Sequence, residues 1–510
     1  MTIKLVVILI FLLALSKTTL FSFYGFGLVD EGESLHNAQR ILTGDVPYRD
    51  FFAIFPPMDN YFYALIFKLF GESIQIPRII ASIIFSFTPV LIFLICKRFT
   101  STKLSTIPAI LITFLDVNIE RLFLFTPIFL GLYFFLQAVD RKKKWLFGWS
   151  GLMLGLSGLI RLDIPGTFGV AAIVVLAIYL FLISRQGWAR KWLAYSLFMG
   201  IGFGLPLLAM VLWMVNLGIF STFVNRALVG AVTITRLHRL PFPSMLDLIP
   251  SRFDLAALGN TFTAYYGYAI LVTYLASTFI VLKKATVIIK NNIEIPLLVL
   301  AGILALPYIF GRSEMGHLVK GGTPFLILGT FLLKNTRNLK IKVVLYSLVI
   351  GLFTAAVFQS IWWIRFNDQR VQIADQTLNL NSKYPANSTK PSAESLKRSV
   401  TFLQENSTPT EPVLALPYMA GLYFLSHRSS PTQFNNLLAG FIITEEEQLE
   451  FISKIEKNNV KTVIYDPGNG PKMRTAKMQD YNFLIHQYLI KKFQIVDETP
   501  EGWLFMKRKV

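Results

Sequence analysis

Ile164-Pro-Gly-Thr-Phe-Gly-Val-Ala-Ala-Ile-Val-Val-Leu-Ala-Ile-Tyr-Leu-Phe-Leu-Ile183 runs without a single charge. Arg161 and Asp163 bound it on one side, and Arg185, Arg190 and Lys191 on the other. A helix rises about 1.5 Å per residue, so this stretch matches the roughly 30 Å hydrocarbon core of a bilayer. The rest of the chain repeats the pattern. Of its 510 residues, 54% are hydrophobic and only 15% charged, against about 25% charged in ordinary soluble domains. Mean hydropathy is +0.53. That leaves too little charge to cover a soluble surface. It excludes a disordered chain, a secreted disulfide scaffold and a cytosolic globular enzyme. The fold class expected is an α-helical polytopic membrane protein.

Working outward, stretches of helical length lie near 3–22, 78–96, 104–118, 121–138, 145–160, 164–183, 192–214, 263–282, 294–310, 319–334 and 341–359, about eleven spans. The loops between them alternate in charge. One set holds Lys97, Arg98 and Lys103, then Arg141 to Lys144, then Arg185, Arg190 and Lys191. It continues with Lys283, Lys284 and Lys290, and ends with Lys334, Arg337, Lys340 and Lys342. The opposite short loops hold only Arg121, Arg161, Arg312 and Lys320. Positive charge stays on the cytoplasmic side, which places the N-terminus inside and the C-terminus outside. Much of the net charge of +19 is therefore topological, and no nucleic-acid partner is expected. The first span can also be read as a signal peptide, since Lys4 precedes the apolar run 5–15. Residues 16–25, however, lack a small-x-small cleavage site and are aromatic.

This topology predicts a transmembrane domain over 1–360, with an outer loop 23–77 that carries interfacial helices. A second outer loop covers about 215–262, with Arg226, Arg236, His238, Arg239 and Arg252. A small extracytoplasmic α/β domain is expected over 361–510. There 413–416 and 461–465 read as strands, Glu445–Lys457 as an amphipathic helix, and 493–496 with 503–507 as a hairpin. Cys96 is the one cysteine, so no disulfide is expected. Asn387 and Asn406 each begin an Asn-Ser-Thr triplet.

The first outer loop carries the most chemistry: Leu28-Val-Asp-Glu-Gly-Glu-Ser-Leu-His-Asn-Ala-Gln-Arg-Ile-Leu42. Asp30 and Glu31 follow directly on the first span. Leu35, Ala38, Ile41 and Leu42 share one helical face, which suits a membrane interface. Asp30 with Glu33 three residues on can also be a capping box that opens this helix; that reading leaves Glu31 unassigned. Then comes Val46-Pro-Tyr-Arg-Asp-Phe-Phe-Ala-Ile-Phe-Pro-Pro-Met-Asp-Asn-Tyr61. It leads into an apolar stretch too short to span, whose aromatics otherwise read as interfacial anchors.

An acidic pair after the first span, an amphipathic helix, Gly44-Asp-Val-Pro-Tyr-Arg-Asp-Phe-Phe52 and a Pro-Pro helix together resemble the GT-C superfamily. These are membrane glycosyltransferases that use lipid-linked sugars, and the protein-mannosyltransferase and aminoarabinose-transferase branch is the most similar. Gly311-Arg-Ser-Glu-Met-Gly-His-Leu-Val-Lys-Gly-Gly-Thr-Pro-Phe325 and Leu416-Pro-Tyr-Met-Ala-Gly-Leu-Tyr-Phe-Leu-Ser-His-Arg-Ser-Ser-Pro-Thr432 resemble outer segments of that branch. Phe55 departs from it, standing where the pattern carries His.

The resemblance implies sugar transfer from a polyprenyl-phosphate donor to an acceptor hydroxyl on a lipid, glycan or protein. It places the reaction at the outer face of a bacterial or archaeal plasma membrane. It implies Asp30 as general base, with Glu31 a close second or a partner. One carboxylate suffices for inversion by single displacement. Cations must meet the departing lipid phosphate, and the outer-face candidates are Arg161, Arg312, His317 and Lys320. Arg161 can instead pair with Asp163 or snorkel, and His317 can be a plain interfacial residue. Glu120 resembles a second acidic site. The sequence contains no HExxH, Cys pair or close His group, so neither metal nor cofactor is assigned. Two other functions compete: a ligase for a whole lipid-linked glycan, and a transporter or flippase. Transporters place ionisable groups inside spans, and these spans are nearly free of charge.

Overall fold

The computed structural model describes residues 2–115, 123–184, 186–251, 255–363, 368–381, 392–468 and 477–509. The chain divides into two compact units. The first comprises Met1–Ser22, Arg78–Leu217 and Arg239–Trp363; the second comprises Phe23–Pro77, Gly218–His238 and Ile364–Val510. The loop after the first span thus clusters with the C-terminal stretch.

The first unit is helical. Among the described residues, six helices are long and apolar enough to cross a membrane by length and composition. They number seven if the bent pair Met315–Gly322 and Pro324–Asn335 is one span. Hydropathy gives eleven apolar stretches over the whole chain, and the described helices do not confirm that count. Several apolar stretches form shorter helices: Thr102–Phe114 has 13 residues, Phe125–Arg141 has 17 and Lys144–Gly158 has 15. The stretch near 319–334 bends by 62° between its two helices, where Pro324 has no N–H to continue the ladder.

Close helix packing in this unit rests on glycine. Gly148, Gly151 and Gly155 share one face of Lys144–Gly158 against Trp188–Asn216. A Cβ at Gly151 would lie 1.9 Å from the Met199 carbonyl oxygen, and one at Gly202 would lie 2.1 Å from that of Gly148. Small residues allow backbones to approach this closely in membranes, where apolar burial alone does not drive helices together. The basic loops also meet one another. Arg98 pairs with Asp140 at 2.5 Å and with the buried Glu294 at 3.5 Å. Lys334 Nζ donates to the Phe99 carbonyl at 2.5 Å. The loops at 97–103, 140–144, 290–294 and 334–342 therefore gather at one end of this unit.

The second unit contains a four-stranded sheet in the order β3-β4-β6-β5 and a separate hairpin β1-β2. The strands are β1 (Asp368–Ile373), β2 (Gln376–Asn381), β3 (Leu414–Leu416), β4 (Thr462–Tyr465), β5 (Phe493–Glu498) and β6 (Leu504–Arg508). β3 and β4 are parallel, and the other pairs are antiparallel. The helix Glu445–Lys457 starts with a capping box between Thr444 and Glu447. Its Phe451 and Ile455 join Leu416, Val463, Ile485, Leu489 and Met506 in the core, together with Phe52 from the first loop. The β1-β2 hairpin forms in a stretch rich in Asn and Gln. Its apolar positions Leu378 and Leu380 alternate and are buried, and the segment after the first span adds to it through Gly25 N–H to the Asn379 carbonyl at 3.0 Å.

Candidate active site

The acidic pair sits at the start of the helix Asp30–Leu42, in the second unit. The helix begins one residue earlier than a capping box would require. Val29 is the N-cap, no side chain caps it, and Asp30 is the first helical residue. Glu33, the other half of the expected capping box, accepts from Asn436 Nδ2 at 3.1 Å. Glu31 is buried, and its Oε2 accepts from the Gly27 N–H at 2.8 Å, closing the turn ahead of the helix. Asp30 is exposed, and its carboxylate has no hydrogen-bond or ion-pair partner among the described residues.

This first turn is held from several sides. Gly32 abuts Gly421 of the helix Ala420–Ser426, where a Cβ on Gly32 would meet Gly421 Cα at 2.4 Å. The Gly421 N–H donates to the Leu28 carbonyl at 2.8 Å. The Asn436 amide also reaches the Val29 carbonyl at 3.4 Å, and its oxygen accepts from the Ala420 N–H at 3.0 Å. Further along, Asn435 donates to Asn37 at 2.7 Å and accepts from Arg40 at 3.2 Å. Arg40 in turn pairs with Asp45 at 2.6 Å and donates to the Asp50 carbonyl at 2.8 Å. Leu35 and Ala38, on the face suited to a membrane interface, are buried in protein. By contrast, the helix Met58–Phe70 keeps Leu65, Leu69 and Phe70 exposed.

His36 stacks on Tyr423 with ring centroids 5.2 Å apart. Burial, with the nearby Arg40 charge, pushes its pKa down to about 3, so the imidazole is neutral at physiological pH. None of Asn435, Asn436 and Tyr423 is singled out by the sequence, because their partners lie hundreds of residues away. The basic loop residues take separate places in this unit. Arg226 lies over the Phe52 ring at 5.0 Å and donates to Gln433 at 3.1 Å, while His238 Nε2 lies 2.9 Å from the Ala439 carbonyl. Arg236 is exposed.

The four cationic candidates lie in the first unit. Arg161 makes the expected pair with Asp163, at 2.7 Å and 2.8 Å. Its guanidinium also lies 4.7 Å over the Tyr308 ring, on which His317 stacks at 4.9 Å. Glu314 links the rest, with His317 Nδ1 at 3.0 Å and Arg312 Nε at 2.9 Å. Burial alone would raise the Glu314 pKa, but the His317 hydrogen bond and the Arg312 charge outweigh it and hold the carboxyl at about 2. Lys320 follows His317 by one turn on Met315–Gly322 and is buried. The structure thus joins Arg161, Arg312 and His317 through Tyr308 and Glu314, two residues the sequence does not flag. Tyr308 reads there as one more aromatic in an apolar stretch. Glu120 lies outside the described residues. Among the described residues, no group of three or more His, Cys, Asp or Glu side chains is placed to hold a metal ion.

Residues 55–214 match the family model of dolichyl-phosphate-mannose-protein mannosyltransferases. The chain is also similar to the structure of ArnT from Cupriavidus metallidurans bound to undecaprenyl phosphate. The TM-score is 0.58 at 12% identity, with 99% of this chain and 98% of that one covered. The fold resembles that of the GT-C glycosyltransferases. A second GT-C similarity is to the archaeal oligosaccharyltransferase AglB from Archaeoglobus fulgidus, in complex with an inhibitory peptide and a dolichol-phosphate. Here the TM-score is 0.51 at 13% identity, over 99% of this chain and 74% of that one. The structure of an Archaeoglobus fulgidus oligosaccharyltransferase in complex with Zn and sulfate gives 0.52 at 14% identity, over 99% and 73%. No curated protein sequence matches the chain. In GT-C terms this chain is a multi-pass membrane protein similar to mannosyl- and aminoarabinose-transferases.

Proposed function

We propose that the chain transfers a sugar from a polyprenyl-phosphate donor to an acceptor hydroxyl, with inversion and with Asp30 as general base. One observation carries this reading. Asp30 presents an exposed carboxylate, unpartnered among the described residues, on a first turn that Glu31, Asn436 and Gly421 hold in place. A base needs both accessibility and a fixed position, and Asp30 has both. Glu31, the second candidate, has an oxygen already engaged by the turn it closes. In the step itself, the acceptor oxygen attacks the anomeric carbon as Asp30 takes the hydroxyl proton. The bond from that carbon to the phosphate oxygen breaks, and the polyprenyl phosphate leaves with added negative charge.

Arg161, Arg312, His317 and Lys320 are assigned to that phosphate. Arg161, Arg312 and His317 gather around Tyr308 and Glu314, which supports the assignment, since fixed cations and hydrogen-bond donors stabilise charge that grows in the transition state. Glu120 is kept as a second acidic site. From the alternation of basic loops along the sequence, we assign the N-terminus to the cytoplasm and the C-terminal domain to the outside of a bacterial or archaeal plasma membrane. The acceptor is a lipid, glycan or protein hydroxyl. The likeness to an oligosaccharyltransferase also favours a second reading, in which the group transferred is a whole lipid-linked glycan. The test is a donor screen. Purified protein in lipid nanodiscs is given radiolabelled polyprenyl-phosphate sugars and lipid-linked glycans, with Asp30→Asn as control.

A further inference from the structure

The first unit carries a short projection, Pro241-Phe-Pro-Ser-Met-Leu-Asp-Leu-Ile-Pro250. Its base is anchored to protein. The ring of Phe242 packs on Tyr268 and Phe310 at centroid distances of 5.3 and 5.2 Å. Tyr268 Oη donates to the Pro243 carbonyl at 3.0 Å, and the Ser313 N–H donates to the Leu240 carbonyl at 3.2 Å. Its tip is the opposite: Met245 is 73% exposed, Leu246 82% and Ile249 73%. Asp247 is the one charged residue in the projection. It is folded back, its Oδ2 accepting from Ser244 N–H at 2.7 Å and from Ser244 Oγ at 2.9 Å. Three large aliphatic side chains are thus presented together, with the only charge turned onto the backbone.

The neighbouring helix says what covers them. Leu255–Lys283 leaves Leu258, Tyr265, Val272 and Phe279 exposed. These recur every seventh residue, so they form one apolar stripe along the span. The projection packs against this helix and continues its apolar surface. Lys283 and Lys284 mark one polar end of the span. Tyr268, at the level of the projection's base, lies about 23 Å along the helix from Lys283 at 1.5 Å per residue. That is within a hydrocarbon core of roughly 30 Å, so the base of the projection lies near the opposite boundary of that core.

We propose that the tip at Met245, Leu246 and Ile249 inserts into the lipid at that boundary and anchors the loop between spans to the bilayer. Removing such side chains from water is favourable, and a folded-back charge avoids the cost of carrying it into lipid. This inference does not depend on the catalytic reading.

Site-directed fluorescence on the full chain tests it. Cys96 is fully buried, so Leu246→Cys adds the one accessible thiol, at a position exposed enough to leave packing unchanged. The protein is labelled there with an environment-sensitive fluorophore and placed in nanodiscs. Leu449→Cys, on an exposed face of the second unit's Glu445–Lys457 helix, is the aqueous control. The expected result is blue-shifted emission at position 246, lost to lipids carrying a doxyl group near the glycerol end and insensitive to iodide, with the reverse at 449. Iodide quenching at 246 without doxyl quenching would overturn the proposal. Shielding of 246 from both quenchers would also overturn it, because protein, such as a second copy of the chain, would then cover the tip.

Discussion

Asn436 holds Glu33. Its Nδ2 donates to the Glu33 carboxylate at 3.1 Å, while its Oδ1 takes the Ala420 N–H at 3.0 Å. One buried amide thereby joins the first turn behind Asp30 to the helix Ala420–Ser426. Asn436→Ala leaves the Ala420 N–H and Glu33 without these partners. Leaving a buried polar group unpaired costs about 1–3 kcal/mol. The expected outcome is a lower thermal midpoint, and a transfer rate that falls while the donor KM holds. Calorimetry and steady-state kinetics on the same preparation check both.

Gly32 is where this docking is tightest. Gly32→Val would place a Cβ 2.4 Å from Gly421 Cα, and backbone cannot give way as a flexible side chain can. Loss of folded protein is expected. Gly44→Ala is unsuitable as a control because Gly44 has φ +101°. Gly166, whose Cβ would meet nothing within 4 Å, serves instead, and Gly166→Ala is expected to fold normally. Yield of monodisperse protein on size exclusion reads the difference.

His36 sets an acid limit. Its folded pKa is pushed down to about 3, against an ordinary 6.5. The unfolded chain therefore binds a proton that the folded chain refuses as pH falls from 6.5 towards 3. Stability drops over that window, by up to about 1.4 kcal/mol per pH unit for one such group. His36→Gln should flatten the slope. Thermal melts from pH 7 to pH 4 measure it, and equal slopes in both proteins would contradict the assignment.

Glu314 behaves in the other sense to a carboxyl left in water. Held at about 2 rather than 4.5, it contributes stability above the unfolded value and loses it as pH falls towards 2. The ion pair with Arg312 should then persist at pH 4. Glu314→Gln frees Arg312 and His317 from that carboxylate. The expected outcome is a weaker donor KM from misplaced cations, with less effect on kcat.

The membrane-spanning character and the sites of basic loops are legible because composition over twenty residues is a strong signal. Local strands such as Leu414–Leu416 and Thr462–Tyr465 are legible for the same reason, as short apolar runs between turn residues. The partition into units is not, because it depends on pairs such as Asn37 with Asn435 and Gly32 with Gly421. Nothing local marks those residues. The helix Asp30–Leu42 illustrates the limit: of its expected apolar face Leu35 and Ala38 are buried while Leu42 is exposed, and the helix Ala420–Ser426 that packs on it is not visible in the local pattern. In the same way, Asp30 is recognisable by its place after the first span, while the side chains that hold its turn are visible only in three dimensions.

Asp30 as general base is the central claim, and one measurement tests it most directly. Wild-type and Asp30→Asn proteins in nanodiscs are given a radiolabelled polyprenyl-phosphate sugar that the wild type turns over, and transfer is followed together with binding of the donor lipid. Loss of a general base is expected to slow transfer by about 10²–10⁴-fold while the donor still binds. Full transfer by Asp30→Asn would contradict the account.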